Sequence, residues 1–278
     1  MDTRVKPEYD SQLFKIILHM PHNFKEQSQE AAVDFGFRKV ERERKASLVG
    51  NIFSEVAAKY DLMNDLMSFG LHRLWKDSMA ALVNPIDGAK IIDVAGGTGD
   101  IAFRLYRRAK KNGRKIHITV SDINAQMLAE GRKRAVNHNI LDSLEWREAD
   151  GEHLPFPEKH FDHYTIAFGI RNFTNIAAAL REAHRVLKPG GQFICMEFAP
   201  LEAGMLAKIY DLYSFNVIPL VGKMVTHNPE AYRYLVESIR KFPPPARFSA
   251  MISEAGFVQV KARALSQGIV NIHTGWKV

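Results

Sequence analysis

The chain has 278 residues, of which 46% are hydrophobic and 25% charged, and its formal net charge at pH 7 is +7. A chain of this length can bury a large core, and its hydrophobicity excludes a largely disordered protein. The single cysteine, Cys195, excludes an intramolecular disulfide framework and a cysteine-rich zinc site. We predict that Cys195 is a small core residue and that the protein uses no metal.

Positive charge is concentrated in one stretch, because residues 101–115 carry seven cations and no carboxylate. We interpret this stretch as the solvated end of a helix and the loop after it, since cations there complement the helix dipole. Between the first and last of these cations only Tyr106 is aromatic, so we expect no nucleic-acid partner. Attraction to an anionic membrane surface stays open.

The N-terminal part of the chain differs in composition from the rest. Residues 1–45 have mixed polarity and end in a cluster of charges, which predicts an N-terminal extension, whereas residues 46–278 are regular enough for one domain. The first 30 residues contain five acidic residues, which is too many for a mitochondrial transit peptide. The most apolar charge-free run, residues 212–222, is shorter than the roughly 20 residues of a membrane-spanning helix.

The first regular elements predict a βαβ unit. Residues 90–94 are an apolar strand that enters a glycine-rich turn, and residues 101–108 resume a helical composition. A second strand follows at residues 116–122. The helix after it carries one apolar face, formed by Met127, Leu128, Gly131 and Ala135.

The rest of the chain continues the alternation of strands and helices. We predict a strand that begins near Leu144, another over residues 161–168, and a helix from residue 176 that Lys188-Pro189-Gly190-Gly191 ends. Further strands are predicted at residues 193–198, 257–265 and 269–278, the last two as an antiparallel hairpin. Alternating strands and helices indicate an α/β fold with a largely parallel sheet.

The strand-to-helix turn at residues 91–100, IIDVAGGTGD, is the strongest local indication of a ligand site. Its glycines, Gly96, Gly97 and Gly99, let a cofactor approach the backbone, and the helix that follows offers free N–H groups. Asp122 ends the next strand, where a carboxylate can bind both ribose hydroxyls of an adenosine cofactor. The run from Gly97 also satisfies the loose pattern of a nicotinamide site, so NAD and an oxidoreductase remain an alternative.

Further acidic residues favour a cationic cofactor. Asp93 and Asp100 bracket the glycine-rich turn, where they would repel a pyrophosphate but suit the sulfonium and ammonium groups of S-adenosylmethionine. Asp150 follows the third strand, where a carboxylate can accept a hydrogen bond from the adenine amino group.

Several segments resemble the ubiquinone/menaquinone-biosynthesis C-methyltransferases. They are IIDVAGGTGD at 91–100, ADGEHLPFP at 149–157, AFGIRNFTN at 167–175 and HRVLKPGG at 184–191. The resemblance covers residues 35–278, including FSEVAAKYDLMNDLMSFGLHRLWKD at 53–77 and GIVNIHTGWK at 268–277. YDLYSFNVIP at 210–219 and YLVESIRKFP at 234–243 look like the eukaryotic branch, which methylates 2-methoxy-6-polyprenyl-1,4-benzoquinol.

The resemblance implies a class I methyltransferase fold with a seven-stranded sheet, and S-adenosylmethionine across the carboxyl ends of the strands. It places the cofactor against Thr98, Asp122, Asp150, Gly151 and Ala167. Ala167 stands where bacterial members more often have serine, so only its backbone can serve. Together with the turn residues, the predicted cofactor set is Asp93, Gly97, Thr98, Gly99, Asp122, Asp150, Gly151 and Ala167.

The resemblance also implies the reaction and its surroundings. An electron-rich quinol carbon would attack the sulfonium methyl, with Arg171 and Asn172 as the catalytic candidates that contact the quinol oxygens. We expect a location on the matrix side of the mitochondrial inner membrane, peripheral membrane contact, and a multi-subunit complex or a homodimer. A noncatalytic scaffold of such a complex is the other alternative.

Two regions are expected to enclose the substrate. A helical cover over the cleft is predicted from Tyr60, Asn64, Asp65, His72 and Trp75. Residues 206–225 gather apolar side chains and are interrupted by Pro219 and Gly222, which suggests a guide for the polyprenyl tail and shallow membrane docking.

Overall fold

The computed structural model describes residues 32–56, 65, 68, 70–140, 142–200 and 229–278. The predicted tail guide at residues 206–225 and the cover residues Tyr60 and Asn64 lie outside the described residues. None of the described helices is long and apolar enough to cross a membrane.

Strands and helices alternate through most of the described chain. The strands are β1 Ala32–Phe35, β2 Arg38–Glu41, β3 Ala89–Val94, β4 Ile116–Asp122, β5 Leu144–Glu148, β6 Phe161–Ala167, β7 Leu187–Phe198, β8 Val258–Leu265 and β9 Val270–Trp276. The helices are α1 Arg42–Val56, α2 Leu71–Ala80, α3 Asp100–Lys111, α4 Ala125–Asn137, α5 Ile176–Val186, α6 Pro229–Lys241 and α7 Pro245–Glu254. Short 3-10 helices cover Ile170–Asn172 and Ser266–Gly268.

Seven of these strands form one sheet in the order β5-β4-β3-β6-β7-β9-β8. The first five are parallel, β9 is antiparallel to β7, and β8 is antiparallel to β9. The predicted α/β class, seven-stranded sheet and antiparallel final hairpin are therefore confirmed. Strand order reverses between β3 and β6, which is where open α/β sheets bind ligands.

The core lies on both faces of this sheet. Successive strand residues point to opposite faces, so Ile91 packs in the cluster under α2 and α3, whereas Ile92 packs in the cluster under α5 and α7. Cys195 is fully buried in the second cluster, as predicted for a core residue. The apolar face predicted for α4 is also buried, through Met127, Leu128, Gly131 and Ala135.

Two predicted boundaries are wrong. Residues 188–191 do not form a loop before the strand, because β7 already begins at Leu187, which pairs with Phe161 before a bulge shifts the register. The glycines make this bulge possible, and Gly190 has a φ of 78°. The predicted boundary between residues 45 and 46 falls inside α1, whose first residue is Arg42. The β1–β2 hairpin packs with α1 and α6 rather than apart from the domain.

The basic stretch has the position expected for a helix end. Arg108, Lys110 and Lys111 lie in the last turn of α3. Arg114, in the loop after it, donates to the side chain of Asn84 and the carbonyl of Pro85. The stretch is therefore a solvated helix end and loop, as predicted.

Candidate active site

An open cavity with an empty volume of about 1100 Å³ lies at the carboxyl ends of β3, β4 and β6, under α1. Most of the predicted site residues line it, namely Asp93, Gly97, Thr98, Asp122, Asp150, Gly151, Ala167 and Asn172. The topology explains this arrangement, because the carboxyl ends of neighbouring parallel strands meet at one edge of the sheet.

The glycine-rich turn holds its backbone in the left-handed region. Gly97 has a φ of 52°, which glycine adopts without a penalty, but Ala95 has a φ of 50°. Phe168, at the end of the neighbouring β6, has a φ of 57°. Two residues with side chains thus occupy an unfavourable conformation side by side on the cavity wall.

Gly99 does not reach the cavity wall, although the sequence places it with the cofactor residues. It caps the N-terminus of α3 with a φ of 81°. A Cβ atom at Gly99 would lie 2.6 Å from the indole of Trp146, and one at Gly131 would lie 2.2 Å from the same ring. Both glycines therefore make room for Trp146, between the turn and α4.

Asp122 is tied to the turn by its carboxylate. Oδ2 accepts a hydrogen bond of 2.9 Å from the N–H of Gly97, and Oδ1 accepts one of 2.8 Å from the N–H of Asn124. Burial raises the pKa of Asp122 to about 6, although these two hydrogen bonds act to lower it. Each carboxylate oxygen can accept more than one bond, so Asp122 can still bind a pair of ribose hydroxyls.

Asp93 lies at the bottom of the cavity and is fully buried. Its Oδ1 accepts a hydrogen bond of 2.8 Å from the hydroxyl of Thr165, while Oδ2 has no partner among the described residues. Burial raises the pKa of Asp93 to about 7. An unpartnered buried carboxylate oxygen on a cavity wall suits a ligand with a positive charge or a strong hydrogen-bond donor.

Asp100 has a different environment. Its Oδ2 lies 2.7 Å from Nζ of Lys76, and its Oδ1 lies 3.2 Å from Nε of Arg104. Although burial opposes ionisation, the positive charges of Lys76 and Arg104 lower the pKa of Asp100 to about 2. Asp100 therefore stays ionised beside the cavity, while Asp93 titrates near neutral pH.

The charges on the cavity wall agree with a cationic ligand. Among the described residues that line it, five are acidic, namely Asp93, Asp100, Asp122, Asp150 and Glu152, and Lys76 is the one cation. S-adenosylmethionine carries a sulfonium and an ammonium group, which these carboxylates would attract, whereas a pyrophosphate would be repelled. The residues present thus fit S-adenosylmethionine.

The outer part of the cavity is formed by loops after β3, β5 and β6. Asp150 Oδ1 accepts a hydrogen bond of 2.9 Å from the N–H of Glu152 and fixes its own turn. A Cβ atom at Gly151 would lie 2.6 Å from the ring of Phe173, so this position has no room for a side chain. The hydroxyl of Thr98 accepts a hydrogen bond of 2.8 Å from Arg134.

The structure separates the two catalytic candidates. Asn172 lines the cavity, and its Oδ1 accepts a hydrogen bond of 3.1 Å from the hydroxyl of Tyr234. Arg171 does not line this cavity and is buried. Its guanidinium donates to the Glu197 carboxylate at 2.7 Å and to the carbonyl of Phe168 at 2.6 Å. The sequence prediction that Arg171 contacts substrate is therefore not supported by where its charged group lies.

The described cover residues lie beside the cavity rather than on its wall. His72 Nε2 is 2.7 Å from Asp65 Oδ1, and hydrogen bonds from Arg73 and His72 lower the pKa of Asp65. Burial lowers the pKa of His72. Trp75 is buried and donates from Nε1 to the hydroxyl of Ser266.

Several wall residues are not foreseen from the sequence. They are Lys76 of α2 and the α1 residues Ala46, Val49 and Gly50. Lys76 follows Trp75 in a segment that already resembles the family, but its contact with Asp100 needs the tertiary fold. The α1 residues carry no polar group, so nothing in their type indicates a ligand site.

Solved structures with the same fold include methyltransferases. A methyltransferase from Thermotoga maritima, described as S-adenosylmethionine-dependent and possibly acting on histamine, has a TM-score of 0.57 and 18% identity, and covers 83% of this chain and 100% of its own. The [4+2]-cyclase SpnF has a TM-score of 0.55 and 17% identity, and the match covers 82% of this chain and 94% of SpnF. These likenesses show the fold alone, and the acidic cavity at its ligand edge is compatible with S-adenosylmethionine.

Sequence comparison identifies the family. A model of the ubiE/COQ5 methyltransferase family matches residues 38–277. The ubiquinone/menaquinone biosynthesis C-methyltransferase UbiE of Brucella suis is 52% identical over 246 residues, which are 88% of this chain and 90% of the relative. UbiE of Rickettsia bellii is 52% identical over 245 residues, which are 88% of this chain and 98% of the relative.

The chain belongs to the ubiE/COQ5 methyltransferase family. This membership confirms the resemblance to the family, without distinguishing its eukaryotic branch, and decides the cofactor in favour of S-adenosylmethionine over NAD. The protein is therefore a methyltransferase rather than a nicotinamide-dependent oxidoreductase.

Proposed function

We propose that the protein methylates a ring carbon of 2-methoxy-6-polyprenyl-1,4-benzoquinol in ubiquinone biosynthesis. The observation that carries this proposal is that Asn172 and the cofactor residues line one cavity. A substrate ring held by Asn172 would lie within the same space as the cofactor. The names of the Brucella and Rickettsia relatives support a quinone precursor as the substrate class.

The reaction depends on how the substrate is positioned more than on a strong acid or a metal ion. When bound, S-adenosylmethionine supplies a methyl group on a positively charged sulfur. The quinol becomes a better carbon nucleophile when its phenolic oxygen carries negative charge. The ring carbon would take the methyl group as the bond from that methyl group to sulfur breaks, S-adenosylhomocysteine would be the leaving group, and the ring proton would pass to water. The protein's part is to hold the ring carbon in line with the methyl group and to stabilise charge on the oxygen.

Asn172 is the residue we assign to the quinol oxygen. Its carbonyl oxygen is already held by the Tyr234 hydroxyl, so its amide N–H groups are the donors left for a ligand. Arg171 acts behind it by bonding Glu197 and the Phe168 carbonyl, which fixes the short helix that carries Asn172. In this assignment Arg171 is a positioning residue.

The test is product analysis with a labelled methyl group. The enzyme is incubated with S-adenosylmethionine carrying a deuterated methyl group and either a polyprenyl benzoquinol that lacks the ring methyl or the corresponding naphthoquinol. Mass spectrometry should find the label on a ring carbon of the benzoquinol. Label on the naphthoquinol alone would assign the protein to menaquinone synthesis, and label on neither would favour a noncatalytic scaffold.

We also propose that the enzyme works at the matrix face of the mitochondrial inner membrane, as a peripheral protein within a quinone-biosynthesis complex or as a homodimer. A polyprenyl quinol partitions into the bilayer, so an enzyme that takes it must meet the membrane surface. The exposed cations at the end of α3 can contribute to this contact. Cosedimentation with anionic and neutral vesicles tests the membrane contact, and light scattering of the purified protein tests the dimer.

A further inference from the structure

The N-terminal hairpin is attached to α6 by an aromatic stack and by polar contacts. The ring of Phe35 stacks on the ring of Tyr234, with centroids 4.4 Å apart and an angle of 23° between the planes. Both residues are buried. The N–H of Phe37 donates a hydrogen bond of 3.0 Å to the carboxylate of Glu237, and Lys241 lies 3.8 Å from the carboxylate of Asp34.

The turn of the hairpin fits closely against the same helix. Gly36 has a φ of 60°, and a Cβ atom there would lie 2.2 Å from the Glu237 carboxylate. Glycine is therefore required both by the backbone conformation and by the approach to α6. The hairpin and α6 form one packed unit together with Val49 of α1.

The same helix contacts Arg171 and Asn172, which belong to the short 3-10 helix after β6. The hydroxyl of Tyr234 donates to Oδ1 of Asn172 at 3.1 Å, and one turn later the hydroxyl of Ser238 accepts from Nε of Arg171 at 3.4 Å. Burial raises the pKa of Tyr234 to about 12, so its hydroxyl remains a proton donor at neutral pH. Because the Tyr234 hydroxyl donates, it holds the carbonyl oxygen of the Asn172 amide and leaves the amide NH2 group to face the cavity.

We propose that the β1–β2 hairpin, residues 32–41, positions Asn172 for catalysis through the stack of Phe35 on Tyr234. This inference rests on the proposed function of Asn172. Phe35 and Tyr234 are positioning residues, because both act through Asn172.

The test compares Tyr234→Phe and Phe35→Ala with Phe37→Ala as the matched control. Phe37 is on the same hairpin and is 53% exposed, and its contact with Glu237 uses the backbone, which alanine keeps. We expect Tyr234→Phe and Phe35→Ala to lower kcat with the benzoquinol about tenfold, the value of one oriented hydrogen bond. The Kd of S-adenosylmethionine should be unchanged, and Phe37→Ala should behave as wild type. Phe35→Tyr should restore kcat because it keeps the stacked ring.

A double-mutant cycle separates positioning from a general structural role. Tyr234→Phe added to Asn172→Ala should cause no further loss of kcat, since both changes remove the same oriented group. Equal losses in the two backgrounds, or wild-type kcat in Tyr234→Phe and Phe35→Ala, would overturn the inference while leaving the proposed function intact. If the wild type methylates neither quinol, the proposed function itself fails and the inference falls with it.

Discussion

Nζ of Lys76 lies 2.7 Å from Oδ2 of Asp100, and both residues line the cofactor cavity. The two side chains are only 6% and 17% exposed. Lys76 belongs to α2, which lies beside the cleft, and Asp100 is the first residue of the helix after the glycine-rich turn. The pair therefore joins α2 to the turn and places a compensating cation among the cavity carboxylates.

Lys76→Met is expected to destabilise the protein by about 3 kcal/mol, because it leaves the buried Asp100 carboxylate without its closest cation. Urea unfolding measures the change, with Lys111→Met at the exposed end of α3 as the control. Adding Asp100→Asn should recover part of the loss. If Lys76→Met and Lys111→Met unfold at the same urea concentration, the pair contributes nothing to stability.

Asp122→Asn should weaken S-adenosylmethionine binding by about 3 kcal/mol, with roughly 1.5 kcal/mol for each of two charge-assisted hydrogen bonds to ribose. Asparagine is chosen because it keeps one acceptor for the N–H groups of Gly97 and Asn124. Titration calorimetry measures the affinity. Glu148→Gln is the matched control, since Glu148 pairs with Asp122 across β4 and β5 but is exposed and does not line the cavity. Unchanged affinity in folded Asp122→Asn would remove Asp122 from the site.

Cofactor affinity should fall as the pH is lowered from about 8 to about 5. Burial raises the pKa of Asp93 to about 7 and that of Asp122 to about 6, so both lose their charge in this range and attract a cation less. The stability of the ligand-free protein should change in the opposite direction and fall as the pH rises. A carboxyl group with a raised pKa in the folded state contributes stability at low pH that is lost as the pH rises through that pKa.

Titration calorimetry across this pH range tests the prediction, and Asp93→Asn should flatten the part of the dependence near pH 7. Binding should also release protons there, which is measured by comparing buffers of different ionisation enthalpy. An affinity that does not change with pH would show that neither carboxylate faces the positive charges of the cofactor.

Arg171→Met should destabilise the protein by about 3 to 5 kcal/mol, since it leaves the fully buried Glu197 carboxylate without its cation. Burial already raises the pKa of Glu197. The double variant Arg171→Met with Glu197→Leu should recover most of this stability. If Arg171→Met unfolds like the wild type but has lost turnover, its guanidinium meets the substrate directly, as the family resemblance suggests.

Much of the sheet is predictable because its strands follow simple patterns. Ile116, Ile118 and Val120 alternate and give β4, and the apolar face of α4 repeats at helical spacing. The start of β7 is not predictable in this way. Proline and two glycines normally end an element, but here they form a bulge inside a strand that is held by its pairing with β6 and β9.

The site is predictable where residue type and chain position together limit the role, as for Asp122 at a strand end. The site is not predictable where a residue distant in the sequence determines the role of a side chain. Arg171 has the side chain of a substrate contact, yet Glu197 of β7 pairs with it in the core. The left-handed conformation of Ala95 is also invisible in the sequence, because alanine gives no indication of a positive φ.

Trp146 fills the space that Gly99 and Gly131 leave between the glycine-rich turn and α4. The surroundings of its indole therefore change when the backbone of the glycine-rich turn moves. Of the other two tryptophans, Trp75 packs against Phe168 and Phe198, and Trp276 is on the last strand. The protein thus carries an intrinsic fluorophore behind its ligand site, and emission from a variant with Trp75 and Trp276 replaced by phenylalanine would report cofactor binding without an added label.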